Sequence, residues 1–192
     1  MTADERIMLE KLEEILRSDG VGSQIPAIVE RVRKDLTRKA EAVMAWEPIP
    51  LEIYENLLPR TIRSSWVFIL RRGADTGAER HPNSHQRMMS FAGSGDLQTD
   101  SRNAGGGDAK AESEILWHSN ILVSDPAAPL ETRWVSIPEN VWHRPVVAAD
   151  SDWIVVSFHT VPAEALIEER PDRDRDTTTQ MRYLQNLPAQ SR

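Results

Sequence analysis

Between residues 61 and 160 the chain keeps returning to one texture: short runs of β-branched and aromatic residues, closed off by Gly, Pro, Asp or Asn, with no amphipathic helix between them. The strongest run is Trp66, Val67, Phe68, Ile69 and Leu70, stopped by Arg71, Arg72 and Gly73. Similar runs occupy residues 87–92, 115–123, 133–137, 144–147 and 153–160. Such residues suit a pleated, half-buried surface. Many short strands in succession can bury their apolar faces only by closing into a sandwich or barrel. A mainly β domain is therefore expected over residues 61–162.

The flanks read differently. Ile7, Met8, Leu12, Ile15 and Leu16 recur at helical spacing, with Gly20 and Gly22 as a stop, and a second pattern runs from Pro26 through Ile28, Val29, Val32, Leu36 and Ala40 to Val43. Residues 1–60 are thus expected to form a helical extension whose apolar stripes are buried on the barrel or on a second subunit. Residues 163–169 predict a short helix with Glu168 and Glu169 on a solvated face, followed to residue 192 by a charged tail in which Tyr183 and Leu184 could dock back. Residues 99–114, with three consecutive glycines and no apolar period, predict an insertion between strands, either a loop or a lid.

A net charge of −7 argues against a nucleic-acid partner, which needs a concentrated basic face. The absence of cysteine excludes disulfides, thiolate catalysis and sulfur-ligated metals, so any metal must be held by His nitrogen or by oxygen. The first residues lack the apolar run of a signal peptide, and no stretch approaches the roughly 20 apolar residues of a membrane span. A cytoplasmic protein without a membrane partner is expected. GGGDAKAE lacks the Lys-Ser/Thr ending of a phosphate loop, and there is no Gly-x-Ser-x-Gly elbow.

The chemistry concentrates between Gly73 and Gly93. Glu79 and His81 stand one residue apart, Gln86 follows after four more, and Gly93 after a further six. On a strand, residues two apart face the same side, so Glu79 and His81 point together. A histidine from a distant strand, His143, can complete a pocket of two imidazoles and one carboxylate, a set that holds non-haem Fe(II) facially with positions left open.

This spacing resembles the first motif of the cupin family: a glycine, two histidines one residue apart, a glutamate and a glycine. The segment IPENVWH resembles the second motif, with Pro138, then Asn140 where the family has glycine, then His143. Asn is the non-glycine residue best suited to the left-handed turn such a position requires. The resemblance spans about half of the chain. It implies an antiparallel jelly-roll β-barrel with N-terminal α-helices outside it, and a divalent metal (Fe, Mn, Ni or Zn) at Glu79, His81, Gln86 and His143. It also implies a small-molecule ligand in the barrel mouth, dioxygenase or isomerase chemistry, and a homodimer. Two of the four positions depart from the family pattern: Glu79 replaces a histidine and Gln86 replaces the glutamate.

The other reading is a metal-free small-molecule-binding or scaffold barrel without catalytic activity. A metal-free epimerase would need a histidine base paired with an acid and basic residues at the mouth, and no such set stands out. His85, beside Gln86, is a candidate third imidazole or a donor behind the site. His118 and His159 are expected in structural hydrogen bonds, Trp142 facing away from the pocket, and Arg80 and Arg87 at the surface.

Overall fold

Strand Ser64–Leu70 (β2) is buried at every position, which explains its unbroken apolar run: a strand covered on both faces has no solvent side to mark with polar residues. The computed structural model describes residues 1–101, 112–171, 178–182 and 184. β2 belongs to an antiparallel five-stranded sheet that also contains Met44–Pro48 (β1), Gln86–Ala92 (β3), Trp134–Ile137 (β7) and Trp153–His159 (β9), in the order β1-β2-β9-β3-β7.

A second sheet centres on Ser94–Asp100 (β4), which pairs on one edge with Trp117–His118 (β5) and Ile121–Val123 (β6), and on the other with His143–Val147 (β8). Bridges from Val146 to Asp75 and from His143 to Glu79 extend this pairing to residues 75–80. A bridge from Arg80 to Glu169 then links it to the hairpin of Ile167–Pro171 (β10) and Thr178–Arg182 (β11).

Alternate residues of the first sheet serve two cores. Trp66, Phe68, Leu70, Met88, Trp153 and Val155 point inward against Leu97, Leu122 and Val147 of the second sheet. Val67, Ile69, Met89, Ile154, Val156 and Phe158 point outward. Helices Ala3–Arg17 (α1) and Ile25–Arg38 (α3), joined through the single turn Asp19–Gly22 (α2), cover that outer face with Leu9, Leu12, Ile15, Leu16, Ile28 and Val32. Thr2 caps α1 by accepting the amide of Glu5 on its Oγ1. The fold is therefore the expected antiparallel β architecture with N-terminal helices.

Three local expectations change. The second helix ends at Arg38, not Val43, and residues 44–48 form edge strand β1 on β2. The prolines that read as helix stops, Pro48 and Pro50, lie at and just beyond an edge strand's end, where a missing amide costs no ladder bond. Residues 163–169 are not a helix: Ala163–Ala165 is one 3₁₀ turn, and Ile167 onward is strand β10, clamped between residue 80 and β11. Thr99 and Asp100 close β4 and are no part of an insertion; residues 102–111 of the expected loop, 172–177 of the charged tail and Tyr183 lie outside the described residues. Leu184 packs on the inner core.

Candidate metal centre

Glu79 and His143 exchange both backbone hydrogen bonds, each amide donating to the other's carbonyl at 2.8 Å, so their side chains emerge on one face of the second sheet. His81, two residues after Glu79, follows on the same face. The turn before His143 is fixed by Asn140, whose φ of 64° is the left-handed conformation expected of it, and whose amide donates to the carbonyl of His81. Glu79, His81 and His143 are all buried, and one ligand atom from each lies within 4.8 Å of the others.

The hydrogen bonds behind the cluster decide which imidazole nitrogens face it. Nδ1 of His81 lies 3.0 Å from the carbonyl of Ile167, and Nδ1 of His143 lies 3.1 Å from that of Val141. A carbonyl only accepts, so Nδ1 carries the hydrogen in both rings, and Nε2 is the nitrogen left to each ring for a ligand. Metal-binding histidines are commonly oriented in this way. Burial, with the nearby His143, lowers His81 to about 4 and keeps its ring neutral.

Burial alone would raise the carboxyl of Glu79. His143 and the Arg170 guanidinium more than reverse that and lower it to about 2, so it is ionised. Arg170 Nη2 donates to Glu79 Oε2 at 2.5 Å, which leaves Oε1 facing Nε2 of His143 at 3.5 Å. Nε2 of His143 has no hydrogen-bond partner among the described residues. Nε2 of His143 and Oε1 of Glu79 thus face each other inside the buried cluster, where a metal ion can take the place of a shared proton, so the donor set fits a divalent metal.

The remaining candidates separate. Gln86 occupies the inward position of β3 and lines the same cavity as Glu79 and His143, with its Oε1 buried and without a partner among the described residues. His85 turns the other way: its Nε2 lies 2.7 Å from Ser136 Oγ and 3.8 Å from Glu5 Oε1, beneath α1. It does not join Glu79, His81 and His143 as a third imidazole.

Arg87 also points outward, but outward here is the helix-covered face. It is buried and donates to both oxygens of Glu5 at 2.6 and 2.8 Å, which corrects the expected surface position. Arg80 is half-buried, with its guanidinium 4.6 Å from the Trp142 ring. Trp142 itself is fully buried beside Ala78 and Ile115. His118 is exposed at the start of the β5–β6 edge.

Sequence reasoning missed Arg170 and placed Glu168 and Glu169 on a solvated face, whereas His159 is in the structural hydrogen bonds expected of it, with Ser84 and Ser157. Arg170 joins Glu79 to Glu168, donating from Nε to Glu168 Oε1 at 2.5 Å. Glu168 is buried; burial and the neighbouring Glu79 raise its carboxyl to about 7. Glu169 pairs with Arg80 at 2.7 Å, so neither glutamate lies on a solvated face. His159 is buried with its ring 5.0 Å from that of His81, and burial followed by its histidine neighbours lowers it well below the usual imidazole range. The only sequence signal for Glu168 and Arg170 was their spacing of two, which the helical look of AEALIEE concealed.

No family model and no curated protein matches the chain. Solved structures do. Oxalate decarboxylase from Lactobacillus farciminis, in its formate complex, is 14% identical over 62% of this chain, with a TM-score of 0.43. CapF, a capsular polysaccharide assembling protein from Staphylococcus aureus, is 14% identical over 72%, with a TM-score of 0.44. Vicilin from hazelnut, Corylus avellana, is 9% identical over 62%, with a TM-score of 0.45. All three are cupin proteins. This chain spans less than a third of their lengths: 29%, 32% and 29%. The functional reading therefore rests on this chain's own residues.

Proposed function

We propose that this is a cupin-type metalloprotein in which Glu79, His81 and His143 hold one divalent ion and present it to a small-molecule substrate. The observation that carries this reading is the pair of histidines, each donating Nδ1–H to a carbonyl, so that Nε2 of each ring is the nitrogen left for a ligand in the cluster with one buried carboxylate. Two imidazoles and a carboxylate suit Fe or Mn, and also Ni or Zn, while leaving coordination positions open. A metal there supplies charge stabilisation at a substrate oxygen or a site for O2, and we place the reaction among dioxygenations or isomerisations. The chain's own part is to exclude water, to hold Glu79 ionised, and to use Arg170 to fix which carboxylate oxygen faces the histidines.

One observation favours a metal-free binding barrel instead: Arg170 already offers Glu79 a positive charge. The two readings part in a single experiment. Untagged protein purified without chelator is analysed by elemental mass spectrometry for Fe, Mn, Ni, Cu and Zn, beside a His81→Ala/His143→Ala variant. About one metal per chain, lost in the variant, is expected. Substoichiometric metal that added divalent ions cannot restore would sink the metalloprotein and leave the binding barrel.

A further inference from the structure

We propose that the cavity beside this centre selects an uncharged, hydroxyl-bearing molecule with a short apolar chain, and that Gln86 is the residue that reads the hydroxyl. The inference deepens the reading above and rests on it for the ligand's contact with the metal. The contacts with Gln86 and Thr76 are the chain's own.

Three buried side-chain atoms that line one cavity have no hydrogen-bond partner among the described residues: Gln86 Oε1, Thr76 Oγ1 and His143 Nε2. Gln86 is only 6% exposed, so bulk water does not serve its oxygen. Buried polar atoms in a folded protein are nearly always satisfied, and three together around one space point to an occupant. Oε1 of an amide can only accept, so the occupant brings a donor to it. A carboxylate, which only accepts, would set lone pair against lone pair.

Charge selects in the same direction. Glu79 already faces the cavity, and the guanidinium nearest to it, Arg170, donates to Glu79, to Glu168 and to the carbonyl of Thr76. The rest of the wall is apolar, with Phe68, Leu70, Met88, Leu97 and Val155 from both sheets. The cavity is partly open, and its space is about 20 Å³, on a scale where one water needs about 10–15 Å³. Only the hydroxyl-bearing end of a small molecule enters as far as Gln86, with the rest of it toward the open side. A site built to bond a hydroxyl rejects the analogue that lacks it, because its own polar atom is then left buried and unpaired.

Hydroxyacetone and butanone differ by a hydroxyl in place of a methyl at equal size, and propionate supplies an acceptor-only comparison. Their affinities for the metal-free chain are measured by ligand-observed NMR, and for the Mn²⁺-loaded chain by water-proton relaxation, in wild type and Gln86→Leu. We expect hydroxyacetone to bind wild type at least about tenfold more tightly than butanone in both forms. Propionate should be weaker than hydroxyacetone in the metal-free form. Gln86→Leu should erase the preference while keeping its metal.

Equal affinity for hydroxyacetone and butanone, an unchanged preference in Gln86→Leu, or tighter propionate binding to the metal-free chain would overturn the proposal. So would loss of metal in Gln86→Leu, which would make Gln86 a ligand to the ion. A wild type that takes up no metal overturns the metalloprotein reading alone, because the metal-free comparison still decides this one.

Discussion

Glu79 and His143 are a hydrogen-bonded cross-strand pair, from segments 64 residues apart in sequence, and their side chains meet with Oε1 3.5 Å from Nε2. Everything else in the site is arranged around this contact. Val141 fixes the histidine tautomer from behind, Arg170 holds the far carboxylate oxygen, and His81 closes the third side.

Arg170 stands between two buried carboxylates, so removing it leaves both without their cation. Breaking a buried pair from one side typically costs about 3–5 kcal/mol. Arg170→Met is expected to destabilise the metal-free protein at the lower end of that range, because the arginine side chain is 25% exposed. Saturating Mn²⁺ should narrow the deficit by supplying Glu79 with another cation. Urea unfolding with and without the metal measures both, and an unchanged deficit would count against metal binding at Glu79.

The metal-free protein carries opposed pH dependences. His81, lowered to about 4 from the ordinary 6.5, contributes stability that is present above pH 6.5 and lost as pH falls through 4. Its full span is about 3 kcal/mol. Glu168, raised to about 7 from 4.5, contributes in the other sense: its stabilisation is complete below pH 4.5 and is lost as pH rises through 7. Glu168→Gln should therefore gain on wild type as pH rises from about 4.5 to 7, by up to about 3 kcal/mol. Urea midpoints for both proteins across pH 4 to 8 give the difference curve, and a flat or falling curve would contradict the buried placement of Glu168.

Glu5 pins the first turn of α1 to β3 through Arg87, with Ser136 donating to the same carboxylate at 2.7 Å. Glu5→Ala strands a buried guanidinium and is expected to cost about 3 kcal/mol. The double variant Glu5→Ala/Arg87→Met should recover much of that loss, because an apolar replacement leaves no charge to solvate. Chemical denaturation of the three variants completes the cycle. A double variant no better than Glu5→Ala would show that the carboxylate's other contacts carry the docking.

Two turn positions should respond in opposite directions. Gly93 has φ of 79°, and a Cβ there would come 2.5 Å from the carbonyl oxygen of Asp152, so Gly93→Ala is expected to cost about 2 kcal/mol or more. Asn140, at φ 64°, should tolerate or gain up to about 1 kcal/mol from glycine. Melting temperatures would rank them, with Asn140→Gly at or above wild type and Gly93→Ala well below.

The sequence by itself determined the strands that carry their own signature: the fully buried β2 and β9, the alternating β8, and the left-handed turn at Asn140. It also placed Glu79 and His81 on one face, because a period of two is a local property of an extended chain. It did not reveal β1, β4 or β10, whose residues take strand form only because a neighbour supplies the ladder. Nor could it say that the outward face of β3 is covered by a helix, which turns Arg87 from a surface residue into a buried partner of Glu5.

The contact of Arg170 with Glu79 joins positions 91 residues apart, and no local pattern encodes it. Periodicity fixes which way a side chain points. Only the packing of distant segments decides what it meets there, and hence its charge, its hydrogen-bond partners and its chemistry.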